Sequence, residues 1–293
     1  MPAAPFDYHA PATVAEALSA LGALGEDAKV LAGGQSLVPM LTLRLVRPAA
    51  VVDIHGLDEL RGVRRDGDTL EIGALVRHRA LELGDGPLGS CPLLQEAAAL
   101  IGNVRVRAMG TIGGSLAHAD PAAELPAVVR VLDGVLVARG PGGERTIPAA
   151  EFFTGLLSTS LRPGELLAAV RLPLPAGRAG YAVEEFTRRA GDFAVVAAMA
   201  AVELDGGGRA SRVRIAIAGA GPAPVRLAAV ERALAGVEPS EQAFRQAVAD
   251  HKLEIEPDAD MHASADYRRH LTRVLTVRAL VRAASRAMKG AQP

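Results

Sequence analysis

The chain carries a single cysteine, Cys91, among 293 residues. An internal disulfide is therefore excluded, as is an iron–sulfur cluster or a cysteine-rich zinc site built from this chain alone. Cys91 reads as a small buried apolar residue. Tryptophan is absent and aromatics make up 3% of residues, so base-stacking platforms for single-stranded nucleic acid are poorly supplied. The seven histidines are scattered without ligand spacing, which leaves no metal site on this chain. The net charge of −1 gives no electrostatic reason for a nucleic-acid or membrane-surface partner. Apolar stretches are soon broken by charge, glycine or proline, so no membrane span is expected. The first residues lack a basic segment followed by an apolar run, and a cytoplasmic location is the expectation.

At 49% hydrophobic, the chain can build a core, and its length suits one large or two ordinary domains. Thr13 to Leu24 reads as an amphipathic helix capped by Thr13 and stopped by Gly25. Short strands are expected at Lys29–Ala32 and Val51–Ile54, and a hairpin at 62–74 turning on Asp66-Gly67. Helices follow at Val76–Leu83 and Pro92–Ile101. Residues 103–120 lack a helical period and read as an extended segment running into a glycine loop. Asp120-Pro121 then looks like a helix start, Asp as cap and Pro in the first turn, ending near Asp133-Gly134. Strands are expected at Val135–Ala138, Arg145–Ile147 and Glu165–Leu172.

The proline- and glycine-rich 172–180 is the linker candidate. Beyond it lie three strands (Tyr181–Thr187, Phe193–Leu204, Arg212–Ala218) and three helices (about 225–235, 239–250 and 264–288). Arginines on the last helix read as a solvated face.

Three glycine-rich turns compete as a phosphate site. In VLAGGQSLVPML (30–41) a strand leads into two glycines and a helix follows. Successive N–H groups and the Ser36 hydroxyl could hold an anion there, though a plain strand-to-helix turn also uses glycines. MGTIGGSLAHADPAAEL (109–125) repeats the pattern, with Thr111 and Ser115 flanking its glycine pair; Asp120 could simply be a cap and Glu124 a first-turn acid. VRIAIAGAGPAP (213–224) looks like a dinucleotide fingerprint. Its prolines, its antiparallel strand and the helix that follows argue instead for a plain turn. Two convergent N–H-rich turns could grip a diphosphate from both sides without a lysine, but nothing in the sequence makes them converge.

VLAGGQSLVPMLTLRL (30–45) and NVRVRAMGTIGGSLAHADPAAELPAV (103–128) resemble the FAD-binding medium subunit of the molybdenum hydroxylases. FTRRAGDFAVVAAMAAVEL (186–204) and VRIAIAGAGPAPVRLAAVERAL (213–234) resemble that family's C-terminal domain, so the likeness covers nearly the whole chain. It implies an α+β fold. A two-subdomain α/β FAD domain of the vanillyl-alcohol-oxidase (PCMH) type would occupy 1–177, divided at about residue 56. A three-stranded antiparallel sheet with helices would occupy 178–293.

By matched position, Ala32, Gly33, Gly34, Gln35, Ser36 and Leu37, with Thr111, Gly113, Gly114 and Ser115, would bind the FAD pyrophosphate and ribityl chain. Lys29 and Leu31 would line the approach. Ile101, Leu161 and Phe193 would lie near the isoalloxazine. His118, Ala123 and Glu124 would reach the adenosine half or the ribityl hydroxyls. The resemblance implies no catalytic acid or base and no metal ligand on this chain. Molybdopterin and two [2Fe–2S] clusters would sit on a large and a small partner subunit, in a dimer of heterotrimers, and this chain would pass their electrons to an acceptor. The lone cysteine fits that division.

Three positions depart from the family pattern. Ser115 stands where many members have Asn, Glu124 where Asp is common, and Glu184-Glu185 where a Lys is frequent, which puts a cationic flavin contact from that segment in doubt. The other readings are a self-sufficient flavin oxidoreductase and a flavin-free assembly subunit.

Overall fold

The computed structural model describes residues 3–175 and 177–290. Ala176, inside the expected linker, lies outside the described residues. The first sheet is small and parallel. It is formed by β1 (Asp7–His9), β2 (Ala28–Leu31) and β3 (Ala50–Asp53) in the order β1-β3-β2. Between β1 and β2, α1 (Val14–Leu24) is closed at both ends as expected: Thr13 Oγ1 accepts the Glu16 N–H at 3.2 Å, and Gly25 follows. After β2 the chain makes the first glycine turn and enters α2 (Leu37–Thr42).

The second sheet is antiparallel. It begins with the expected hairpin, β4 (Val63–Asp66) and β5 (Thr69–Gly73), and continues into α3 (His78–Leu83) and α4 (Pro92–Leu100). Two short helices follow where an extended segment was expected: α5 (Val104–Met109) and α6 (Ile112–His118). Each has a polar cap, since Asn103 accepts from the Arg105 and Val106 N–H groups and Thr111 accepts from Gly114. Caps and packing thus outweigh the weak propensity of a glycine-rich segment. The helix expected at Asp120 begins three residues later, as α7 (Glu124–Val131) with Ala123 in the cap position. The Asp120 carboxylate is used instead in a local turn onto the Ala122 N–H, 2.9 Å.

The chain then runs through β6 (Val135–Gly140), β7 (Gly143–Pro148), α8 (Ala149–Phe152), the small hairpin β8 (Phe153–Gly155) and β9 (Ser158–Thr159), and β10 (Leu166–Pro173). The sheet order is β4-β5-β10-β6-β7.

The third sheet takes β11 (Ala179–Phe186), β12 (Val196–Leu204), β13 (Ala210–Ala218) and β14 (Val225–Arg226) in sequence order. The two-residue β14 makes four strands where three were expected, and takes the place where a helix was expected to begin. Helices α9 (Ala228–Leu234), α10 (Glu241–Asp250) and α11 (Ala265–Lys289) complete the chain. The Ala-rich β12 is a strand despite its helical propensity, because both its faces are buried. Ala197, Met199 and Ala201 join Ala179, Tyr181 and Val183 in a core shared with α4 and α7. Val196, Ala198, Ala200 and Val202 face the other way, into the core beneath α9 to α11. Alanine lets helix layers approach the sheet closely from both sides. Cys91 is buried in the first of these cores, and burial pushes its thiol up to about 11, an inert position.

Candidate functional site

The two glycine turns meet. Gly33 lies so close to the segment before the second turn that a Cβ there would stand 2.3 Å from the Met109 carbonyl oxygen and 2.8 Å from Gly110 Cα. A Cβ on Gly114 would come within 3.9 Å of Ala32 Cβ. Gly34 sits at φ +71°, a conformation that costs any side-chain-bearing residue energy. Leu31 closes beneath it, 3.4 Å from the place of a Gly34 Cβ. Lys29 is exposed two residues earlier on β2.

The first turn leaves its donors free. Among the described residues, the backbone N–H groups of Gly33, Gly34, Gln35, Ser36 and Leu37 have no hydrogen-bond partner in the chain. Ser36 occupies the cap position of α2, yet its hydroxyl makes no cap bond. Gln35 folds back, its Nε2 donating to Gly33 O at 3.0 Å. Successive unpartnered N–H groups at a helix start are a ready site for a phosphate group.

The second turn is committed differently. Thr111 is buried, and its Oγ1 accepts the Gly114 N–H at 3.1 Å. Gly113 donates to Ala74 O at 2.8 Å, and a Cβ on it would fall 2.4 Å from Ala74 Cβ. This turn is therefore a wall whose Gly113 permits close packing on the β5–α3 connection. Ser115 is half-buried within α6, and its N–H closes the first helical bond, onto Thr111 O. His78, under this wall, bonds Thr111 O through Nε2 at 2.9 Å, and burial pushes it down to about 4. Its neutral ring therefore donates from Nε2.

The remaining candidates lie elsewhere along the chain. Ile101 ends α4, half-buried against the shared core, as is Leu161. The loop between β11 and β12 reaches the same place: a Cβ on Gly191 would stand 2.8 Å from Gly102 O. That loop carries Phe193, which is 59% exposed. His118 is half-buried at the end of α6, and Ala123 is buried. The third glycine turn serves the seam between sheets, where Gly219 donates to Pro121 O at 2.8 Å.

Glu124 opens α7 and is 4% exposed. Burial first, then the charges of Glu185 and Asp120, push it up to about 8. Glu185 stands on the face of β11 turned toward α7, and burial pushes it up to about 7. Its Oε2 is buried with no hydrogen-bond partner. Glu184 points to the other face and pairs with Arg282 at 2.8 Å. Strand alternation separates these adjacent acids, a signal already present in the sequence. Arg77 was missed. Its guanidinium donates to Met109 O and to His55 Nδ1, partners 32 and 22 residues away, and no local pattern announces them.

An α+β chain that brings two glycine turns together, one of them with unpartnered N–H groups, has the features of a flavin- or nucleotide-binding protein. Residues 4–175 match the model for the FAD binding domain in molybdopterin dehydrogenase, and residues 181–283 that for the CO dehydrogenase flavoprotein C-terminal domain. The chain is 41% identical to the 6-hydroxypseudooxynicotine dehydrogenase complex subunit alpha of Paenarthrobacter nicotinovorans, over 96% of this chain and 95% of that one. It is 40% identical to the carbon monoxide dehydrogenase medium chain of Hydrogenophaga pseudoflava, over 94% and 96%. The solved carbon monoxide dehydrogenase of H. pseudoflava superposes with a TM-score of 0.94 at 39% identity, covering 98% of this chain and 99% of that one. Quinoline 2-oxidoreductase from Pseudomonas putida 86 gives 0.92 at 34%, covering 98% and 100%. The chain belongs to the FAD-binding medium subunits of the molybdenum hydroxylase family, the flavoprotein components of oxidoreductases. The cradle fits that cofactor: a diphosphate needs donors, and five N–H groups stand unpartnered.

Proposed function

We propose that this chain takes electrons from [2Fe–2S] clusters on a small partner subunit and passes them to an external acceptor. A large partner subunit holds the molybdopterin and carries out the substrate chemistry. The observation that carries this reading is the meeting of the two glycine turns at Gly33 and Met109. It is supported by the lone buried cysteine, which leaves the clusters to another chain.

When bound, FAD supplies the reversible storage of two electrons. The chain's own residues hold and screen it. The Gly33 to Leu37 N–H groups and the Ser36 hydroxyl receive the diphosphate, and Ala32, Thr111, Gly113, Gly114 and Ser115 form the opposite wall. Lys29, Leu31 and Gln35 line the approach. Ile101, Leu161 and Phe193 exclude water from the ring, while His118, Ala123 and Glu124 serve the adenosine or ribityl hydroxyls. In this reading 1–177 is the FAD domain, with subdomains about 1–56 and 57–177, and 178–293 closes over it. Among the described residues no helix is long and apolar enough to cross a membrane. A cytoplasmic dimer of heterotrimers is the proposed assembly.

The test is co-expression with the genomic neighbours, followed by the visible spectrum and subunit content of the captured complex. A flavin band, with a cysteine-rich small chain and a large chain, is the expected result. Absence of bound flavin after reconstitution with excess FAD sinks the reading. Substrate-dependent bleaching of the isolated flavin-loaded chain would replace it with a self-sufficient flavin oxidoreductase.

A further inference from the structure

Arg77 stands between β5 and α3, and its backbone forms an antiparallel bridge with Thr111. The neighbouring Ile112 N–H bonds Val76 O at 2.9 Å, so this residue is fixed at the start of α6. Its side chain reaches back to the crossing of the two turns. Nη1 donates to Met109 O, the same carbonyl oxygen against which Gly33 is packed. Nη2 lies 2.8 Å from His55 Nδ1. A guanidinium has donors only, so the His55 ring accepts there.

No carboxylate lies within ion-pair distance of Arg77 among the described residues. Several arginines of this half are paired: Arg61 with Asp58 at 3.0 Å, Arg64 with Glu71 at 3.0 Å, Arg79 with Glu82 at 2.7 Å, and Arg107 with Glu82 at 2.8 Å. The charge that acts on Arg77 from within the chain is another cation, Arg61. Burial and then this repulsion lower its pKa from the ordinary arginine value. A half-buried cation facing a second cation is a cost to the folded chain that an incoming anion removes. A short way across Met109 O, five N–H groups also await an acceptor. Amide dipoles offer partial charges only, so a diphosphate held by them alone keeps most of its two negative charges uncompensated.

We propose that Arg77 is the counter-cation of the ADP half of the bound flavin cofactor, held at the crossing of the turns by Met109 O and His55. This inference rests on the FAD reading and adds a residue and a selectivity to it. The cradle discriminates by charge, favouring diphosphate-bearing ligands (FAD, ADP) over riboflavin, which has no phosphate.

The test uses the full-length chain co-expressed with its partners, stripped of flavin and titrated with FAD, ADP and riboflavin. Binding is followed by flavin fluorescence and, for ADP, by competition. Arg77→Gln keeps an N–H donor for Met109 O and removes the charge; Arg77→Lys keeps the charge. A charge-assisted contact of this kind corresponds to a loss of about tenfold or more in FAD and ADP affinity for Arg77→Gln. Riboflavin affinity is expected to stay unchanged, and Arg77→Lys to recover part of the loss. The salt dependence of FAD affinity is also expected to flatten in Arg77→Gln. The inference is overturned if Arg77→Gln binds FAD and ADP like the unaltered chain with the same salt dependence. It is equally overturned if the variant loses riboflavin along with them, because Arg77 is then only a brace for Met109. Failure of the unaltered chain to bind FAD at all sinks the underlying reading, a distinguishable result.

Discussion

Gly33 and Met109 are held in contact across 76 residues of sequence: a Cβ at position 33 would stand 2.3 Å from the Met109 carbonyl oxygen. Backbone cannot yield as a side-chain tip can, so Gly33→Ala must push the two turns apart. Overpacking of this kind costs about 1–3 kcal/mol. FAD affinity is expected to fall about tenfold or more, read as the flavin-to-protein ratio after gel filtration. Gly34→Ala is expected to cost about 1–2 kcal/mol through its left-handed φ of +71°. Gly22→Ala is the control, since it has open space within its helix and is expected to hold or raise stability. Full flavin content in Gly33→Ala would count against the crossing as the cofactor's seat.

The Glu124–Glu185 pair makes the seam sensitive to pH. Both carboxyls are raised above their ordinary value of 4.5, to about 8 and about 7. The folded chain then binds more protons than the unfolded one across this window. The stability they contribute is fully present below about pH 4.5 and is lost as pH rises through 7 to 8. The melting temperature of Glu185→Gln, measured from pH 5 to 9, is expected to decline less on the alkaline side than that of the unaltered chain. Parallel curves would remove the pair as the cause.

His78 works in the opposite sense. Its folded pKa of about 4 lies below the ordinary 6.5, so the folded chain binds fewer protons between these values. Its contribution is present above pH 6.5 and is lost as pH falls toward 4, by up to about 3 kcal/mol. Charging the ring puts a proton on Nδ1, a buried atom with no hydrogen-bond partner beneath Thr111, so acidification is expected to loosen that wall and release flavin along with stability. His78→Gln is expected to lower stability at pH 7 and to flatten the acid limb in a urea-unfolding series at stepped pH.

Asp133 anchors the third sheet at the end of α7. It receives Arg212 and Arg226, each at 2.7 Å, and the buried Arg214 at 3.5 Å. It adopts φ +53°, which Asn tolerates well, so Asp133→Asn isolates the charge from the backbone. The expected cost is about 1–3 kcal/mol in urea unfolding, limited because Arg214 and Arg226 keep Glu203 and Glu231. An unchanged midpoint would show that these remaining partners suffice.

Much of the fold was legible in local pattern. Thr13 and Gly25 mark the ends of α1, and Gly67 marks the β4–β5 turn, which falls on Gly67-Asp68, one residue beyond the expected Asp66-Gly67, because caps and turns are made by residues adjacent in sequence. Residues 103–120 were misread for the converse reason. Gly113 and Gly114 lower helical propensity, while Ala74, 39 residues away, supplies the surface that makes glycine fit there. Asp120 offered a plausible cap, but the chain places Ala123 at that position and turns Asp120 onto Ala122.

By itself the sequence determined the chemical vocabulary of the site: glycine pairs that let backbone approach an anion, hydroxyls beside them, and too few cysteines for any cluster. Their convergence was decided by the tertiary structure alone. Contacts such as Gly33 with Met109 and Arg77 with His55, and the mutual influence of Glu124 and Glu185, join positions whose separation no periodicity encodes. They form only when sheets and helices bury their apolar faces, and that burial brings distant polar groups together whatever their local propensity.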